Sequence, residues 1–218
     1  MGKAAISFDF RAREFAVMTG AALSGQIDYS SPSFGSDFTY WRAGVSWEHG
    51  IRFFRQTNLI YSAYASAGHN LPFWSETTAG GNNDRGYLYQ QFRGDTQLSG
   101  KVEYHFPLFS IGSLDFRALG FYDMAAVWYR EKLPTTLVSD PNDPNAVQYR
   151  QRDTTDQRSF PQNYPQGFNL SGPGQSIHNS VGAGLRFFLR SVAVPLVGFD
   201  AGYGIEAHNW RFILVIGA

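Results

Sequence analysis

The segment at residues 84–87, Asp-Arg-Gly-Tyr, holds the arrangement of side chains in the sequence best suited to specific polar chemistry. Gly86 follows Arg85 directly, and glycine allows the tight backbone turn of a loop tip. The guanidinium is then presented as a planar fork of five N–H donors, which matches the geometry of carboxylates. The loop motif that we expect to act as a unit is Arg85, Gly86 and Tyr87.

Suitable partners for Arg85 lie in the two strand-like segments that follow. The alternation predicts that Glu103 and Asp123 lie on the inward-facing side of the sheet, and Phe121 shares the face of Asp123. An aromatic ring can stack on a guanidinium, and a guanidinium that leaves water needs carboxylates. We therefore expect Glu103, Phe121 and Asp123 to hold Arg85, the alternative being a solvated loop arginine.

No other motif in the sequence indicates catalysis or a cofactor. The chain has no cysteine, which excludes disulfides and thiolate metal sites. No histidine pair has zinc spacing, and nucleophile-elbow and phosphate-loop motifs are missing. The glycines at 182–186 are followed by a strand pattern instead of a helix, which argues against a dinucleotide site. We expect no enzyme, no metal and no cofactor.

A period of two recurs along the chain and predicts antiparallel β-strands. At residues 97–106, for example, polar and apolar side chains alternate throughout. Eight such segments follow one another along the chain from about residue 19 onward, and residues 4–11 form a possible ninth. An odd number of strands would place the N-terminus on the outer side of the membrane. Eight strands are therefore the preferred count, with residues 1–18 as an arm, a plug or an edge strand.

The distribution of charged and aromatic residues over the predicted strands distinguishes a membrane barrel from a soluble one. Charged residues make up only 17% of the chain and aromatic residues another 17%, many of them at strand ends as in the girdles of membrane barrels. No apolar run reaches the ~20 residues of a membrane helix. The predicted fold is an all-β antiparallel transmembrane barrel, and a lipocalin-like soluble barrel is the alternative. The formal net charge of zero argues against nucleic acid as a partner.

The links between predicted strands have unequal lengths. Residues 69–95 and 130–177 form two long segments, and the other links are short, which is the asymmetry of membrane barrels. We interpret 69–95 as a loop directed into the lumen and 130–177 as a long extracellular loop. Residues 1–218 then form a single barrel domain without a signal peptide.

The Arg-Gly-Tyr loop and four further motifs resemble those of the BamA-like superfamily of outer-membrane assembly and translocation barrels. The further motifs are the Asp-x-Arg turn at 9–11, the strand GFYDMAAVW at 120–128, and the glycine-containing strands at 182–186 and 197–203. Position 84 is Asp where that family prefers an aliphatic residue. The resemblance implies a barrel equivalent to the C-terminal half of a barrel of about sixteen strands. POTRA domains, which the family carries upstream, do not occur in this sequence, so the chain is expected to be either a fragment or a compact barrel derived from that half. It also implies an outer-membrane location and a C-terminal β-signal, which falls on Trp210, Phe212, Leu214 and Ile216.

Two functions follow from this resemblance and from the shortness of the chain. One is assistance to the insertion or translocation of other outer-membrane proteins, with the lipid bilayer, unfolded clients and periplasmic or accessory subunits as partners. The alternative is a small non-catalytic anchor or scaffold barrel that presents its 130–177 loop to a partner. Self-association of the barrel is a further expectation.

Overall fold

The computed structural model describes residues 1–14, 16–54, 56–130, 177–189 and 195–216, together with the backbone of three short strands between 135 and 165. Apart from two single-turn 3-10 helices, the described residues form strands and their connections. None of the helices in these ranges has the length and apolar character required to cross a membrane. The predicted all-β antiparallel fold is confirmed.

One antiparallel sheet contains the long strands of the molecule. Its strands are β1 Gly2–Asp9, β2 Ala12–Glu14, β3 Val17–Ser30, β4 Tyr40–Arg52, β5 Asn58–His69, β8 Thr96–Ile111, β9 Leu114–Trp128, β13 Ile177–Leu189, β14 Pro195–Gly204 and β15 Asn209–Ile216. They lie side by side in the order β1, β3, β4, β5, β8, β9, β13, β14 and β15, and the short strand β2 also pairs with β3.

The smaller elements lie in the connections. β6 Thr77–Ala79 and β7 Phe92–Gly94 pair as a hairpin inside the 69–95 segment, which is therefore partly ordered into strands. β10 Thr135–Val138, β11 Tyr149–Arg152 and β12 Asn163–Pro165 form a separate three-stranded sheet within the 130–177 segment. The remainder of that segment lies outside the described residues, as do residues 190–194.

The N-terminal residues form an edge strand, so the preferred count of eight strands gives way to nine. β1 pairs with β3 along its whole length, from Gly2 opposite Tyr29 to Asp9 opposite Ala22. Because neighbouring strands alternate in direction, β1 and β15 run the same way, and Gly2 lies at the end of the sheet that bears the long connections. Among the described residues, β1 and β15 have no ladder to each other or to any other outer neighbour.

The two faces of the sheet have the reverse of the polarity found in a soluble protein. In β8, Leu98 and Val102 are 47% and 44% exposed, while Gln97 and Ser99 are 3% and 8% exposed. We call the face that carries Ser99 the inner face and the opposite one the outer face. Burial of the polar set extends over the other strands and includes Asp28, Asn58, Ser66, Arg117, Asp123, Ser180, Arg186 and Asp200. Since exposed apolar side chains are stable in lipid and unfavourable in water, this pattern is typical of a membrane-spanning sheet.

Candidate functional site: a loop docked on the inner face

The β6–β7 hairpin places residues 80–91 against the inner face. Ala79 and Phe92 at its ends pack against Ala125 and Val127 of β9, and all of these except the partly buried Phe92 are nearly or fully buried. The loop tip closes through backbone bonds, in which the Tyr87 N–H donates to the Asp84 carbonyl and the Gly81 N–H to the Tyr87 carbonyl. Arg85 and Gly86 therefore occupy the centre of a tight turn.

The guanidinium of Arg85 lies within reach of three carboxylates from three strands. Its Nε and Nη2 donate to the two oxygens of Asp123 at 2.7 Å each, and Nη1 lies 2.7 Å from Glu103 and 3.3 Å from Asp200. The Arg85 side chain is 5% exposed and that of Asp123 is fully buried. Burial opposes the charge of Arg85, but Asp123 and Glu103 outweigh it and raise its pKa above the usual value.

An aromatic ring and a second arginine complete this arrangement. The Arg85 guanidinium carbon lies 3.5 Å from the centroid of the Phe121 ring, a short cation–π distance. Asp200 accepts from Arg186 at 2.5 and 2.8 Å, so it bridges the two arginines. Because the two arginines and their three carboxylates are paired and hydrogen-bonded with one another, their interactions offset the desolvation cost that an isolated buried ion would carry.

Glycines let the loop backbone approach the sheet closely. A Cβ on Gly86 would lie 2.5 Å from the Gly204 backbone and 2.7 Å from the Ser180 side chain, and a Cβ on Gly202 would lie 2.6 Å from the Arg85 carbonyl oxygen. Real Cβ contacts are not this short, so side chains at these positions would displace the loop. Gly86 of the loop and Gly202 and Gly204 of β14 thus allow the backbones of the loop and the strand to pack in direct contact.

Tyr87 connects the loop to the turn that precedes the edge strand β15. Its hydroxyl donates to Glu206 at 2.5 Å, and Glu206 also accepts from the backbone and side-chain N–H groups of Asn179. Burial alone would raise the pKa of Glu206, but these hydrogen bonds outweigh it and lower the pKa to about 2. His178 lies beside them, stacked on Phe92 with ring centroids 3.4 Å apart.

Asp84 is the uncompensated acidic group at this site. The residue is fully buried, and neither carboxylate oxygen makes a well-formed hydrogen bond with the described residues, although the Ser180 hydroxyl lies nearby. Burial raises the pKa of Asp84 to about 6, and the negative charge of Asp123 contributes in the same direction. A carboxyl group in this environment favours its neutral form.

The structure brings Arg85 onto Glu103, Phe121 and Asp123, the three side chains that the sequence pattern selects. It also adds Asp200, Glu206 and the glycines of β14, which sequence reasoning missed. The alternation of β14 places Asp200 on the inner face. Its closeness to Arg85 can be inferred only once β14 is known to lie two strands from β9. The described residues contain no group of three His, Cys, Asp or Glu side chains placed to hold a metal ion.

The four residues of the predicted terminal signal all lie on the outer face of β15. Trp210, Phe212, Leu214 and Ile216 are 60%, 81%, 56% and 72% exposed. They therefore form an apolar row along one edge of the sheet, away from the docked loop.

Comparison with known proteins agrees with the all-β architecture. A search of curated proteins finds no match. The family model described as the Omp85 superfamily domain matches residues 2–189 of the 218, a span from β1 to the end of β13 that contains the docked loop. With most of its length covered by this match, the chain belongs to the Omp85 superfamily, a family of outer-membrane β-barrel proteins.

Proposed function

We propose that this chain is an integral barrel of a bacterial-type outer membrane that assists the insertion or translocation of other outer-membrane proteins. The observation that carries the proposal is the pair of edge strands, β1 and β15, that have no outer neighbour among the described residues. An unpaired edge presents a row of N–H and C=O groups that an incoming strand can bind by β-augmentation.

The edge at β15 is well suited to receive a strand inside a bilayer. The outer face of β15 is apolar, so a strand that pairs with it can keep its own lipid-facing side chains in lipid. The docked loop supports this edge, because Tyr87 binds Glu206 in the turn before β15 and the Gly86 backbone packs on Gly204 at the end of β14. We infer that Arg85, Gly86 and Tyr87 position the β14–β15 hairpin.

This role depends on the pairing of strands and requires no catalytic activity, cofactor or metal. Its partners are the lipid bilayer, unfolded outer-membrane proteins as clients, and periplasmic or accessory subunits. Nucleic acid is not among them, because a chain with a formal net charge of zero lacks the basic excess that phosphate binding requires.

Reconstitution in liposomes tests the proposal. The protein should accelerate the folding of an unfolded client barrel, measured by heat-modifiable gel migration, relative to empty liposomes. Ile213→Pro and Leu214→Pro provide matched variants, since adjacent residues of an antiparallel strand direct their N–H groups to opposite sides. The variant that still folds has lost an N–H at the free edge and should accelerate the client less. Equal rates with and without the wild-type protein would contradict the proposal.

A scaffold barrel is the second candidate, and the long 130–177 connection between β9 and β13 favours it. Deleting residues 135–172 should abolish binding of a surface partner while leaving heat-modifiable folding intact. Undiminished binding by the deletion variant would rule this candidate out.

A further inference from the structure

The two free edges of the main sheet match each other in length and in the apolar character of their outer faces. β1 and β15 contain eight residues each, and both have apolar side chains on the outer face. We propose that a second copy of this chain supplies the missing neighbours, so that β15 of each copy pairs with β1 of the other and the two sheets close a single barrel. This inference goes beyond the proposed function and does not depend on it; the two agree where a seam between the copies opens and a client strand pairs with the exposed edge.

Both edges lie where an unpaired backbone is costly. On β1, Ile6 and Phe8 are 60% and 49% exposed on the outer face, and on β15, Phe212 and Leu214 are 81% and 56% exposed. Strands with such side chains lie in the hydrocarbon region, where no water is available to satisfy free N–H and C=O groups. Each edge therefore needs a partner strand within the membrane.

The contents of the inner face argue against closure of one chain on itself. A ring of about eight strands has an interior just wide enough for its own side chains or one small ligand. Here the inner face holds the docked loop, in which Asp84 and Arg85 are buried. It also retains a cavity of about 400 Å³ lined by Ser7, Ser24 and Lys101 among others. A ring of nine strands is close to this size, so closing one chain on itself would have to displace the loop or remove the cavity.

The exposure of β1 points the same way. Ala4 to Asp9 are exposed on both faces of the strand, whereas Asp123 of β9, Ser180 of β13 and Asp200 of β14 are buried on the inner face. The β1 side of the sheet is thus more open than the side around β9 to β14, although its inner face carries polar residues such as Ser7 and Asp9. A second sheet beside β1 would enclose these residues.

Strand direction fixes the symmetry of the assembly. β1 and β15 both run from the end with the long connections to the end with the short turns. A twofold axis along the barrel keeps this direction in both copies, so the two seams are equivalent, parallel, and oriented alike across the membrane. With nine strands from each copy, the ring has eighteen. Parallel pairing is slightly weaker per residue than antiparallel pairing, so the seams are the weakest joints of the ring.

The absence of natural cysteines allows a direct crosslinking experiment. Phe212→Cys on β15 is coexpressed with a differently tagged chain that carries Ala4→Cys, Ile6→Cys or Phe8→Cys on β1, and membranes are oxidised before a non-reducing gel. Adjacent strands lie about 4.8 Å apart, a spacing that a disulfide can bridge. The expected result is a covalent dimer that contains both tags, at one or two of the three positions, and a dimer mass for the cysteine-free wild-type protein in native mass spectrometry.

Three results would overturn the proposal. Chains with both cysteines that crosslink only within themselves would show closure of a single chain. A monomer mass for the wild-type protein in a mild detergent would exclude the dimer. A dimer mass without a crosslink at any of the three positions would show association through another surface. Each single-cysteine variant expressed alone is the control and should give little covalent dimer.

Discussion

Two arginines on the inner face make nearly the same bonds in different surroundings. Arg11 donates from Nε and Nη2 to Asp9 at 2.9 and 2.7 Å and from Nη1 to Glu48 at 2.5 Å. Arg85 likewise binds one aspartate through Nε and Nη2 and one glutamate through Nη1. The Arg11 side chain is 35% exposed, against 5% for Arg85.

The comparison shows that burial, and not the number of hydrogen bonds, separates a docking site from a surface ion pair. Water and counterions screen the cluster around Arg11, which lies near the free edge at β1. The cluster around Arg85 is enclosed by four strands and a loop, so each of its charges depends on the others. Removing one charged side chain should therefore lower the free energy of unfolding more at the docked loop than in the cluster around Arg11.

The largest expected effect comes from Arg85→Ala. The change leaves Asp123, Glu103 and Asp200 without a shared counter-ion, which should cost about 3–5 kcal/mol, as for other broken buried pairs. The free energy of unfolding in urea, measured on the protein in lipid or detergent, reports the loss.

Arg11→Ala is the matched control and should cost less than about 1 kcal/mol. Equal losses for the two variants would remove the distinction between the clusters, and an unchanged stability in Arg85→Ala would place the loop in water.

The next effect concerns the pH dependence that Asp84 creates. With a folded pKa of about 6 and an unfolded pKa of about 3.9, the folded protein binds the extra proton between these values. The contribution of Asp84 to the stability should therefore fall as the pH rises from about 4 to 6 and stay level above that range. Asp84→Asn should remove this contribution, so the stability of the wild type should fall by about 2–3 kcal/mol relative to that of the variant across this range.

Urea unfolding of both proteins at pH 4 and at pH 7 measures this difference. Glu206 does not contribute in this window, since its low pKa is linked to a loss of stability only below about pH 4. Parallel pH curves for wild type and Asp84→Asn would mean that the buried carboxyl finds a partner when it ionises.

Gly86→Ala tests the close approach of the loop to β14. The added methyl group would overlap the Gly204 backbone, so the loop must shift, at a cost of about 1–3 kcal/mol. Gly120→Ala is the control, because a Cβ there meets no atom within 4 Å. Protease accessibility of the loop and the urea midpoint measure the shift, and a similar outcome for both variants would contradict the packing.

The smallest effect is expected from Tyr87→Phe. Loss of the hydroxyl removes one hydrogen bond to Glu206 at a cost of about 1 kcal/mol. Asn179 still donates to Glu206, so the turn before β15 should persist. Tyr203→Phe, whose hydroxyl faces only the exposed His208 at 3.3 Å, serves as the control in the same unfolding assay and should change little.

The sequence carried enough information to predict the strands and to place Glu103, Phe121 and Asp123 on one face of neighbouring strands. A period of two assigns each residue to a face, and β8 and β9 are consecutive antiparallel neighbours, so Glu103, Phe121 and Asp123 fall close together. Each strand also keeps its period because a shift by one residue would put charges into lipid.

The contacts that sequence reasoning missed are those that depend on non-local packing. Asp200 lies 115 residues from Arg85, beyond a connection whose path the pattern does not define. Glu206 lies in a turn, where the strand period carries no information. β1 showed the right alternation, but the alternation alone did not decide whether the N-terminal residues pair with β3 or lie apart as an arm or a plug.

The central claim is that the apolar face of the sheet contacts lipid and the polar face is enclosed. Spin labels on single cysteines along β8, at Leu98, Ser99, Lys101 and Val102, test it in a bilayer, because oxygen concentrates in the hydrocarbon region. Labels at 98 and 102 should show high oxygen accessibility, and labels at 99 and 101 should show low accessibility. Uniform accessibility at all four positions, or the opposite alternation, would contradict the account.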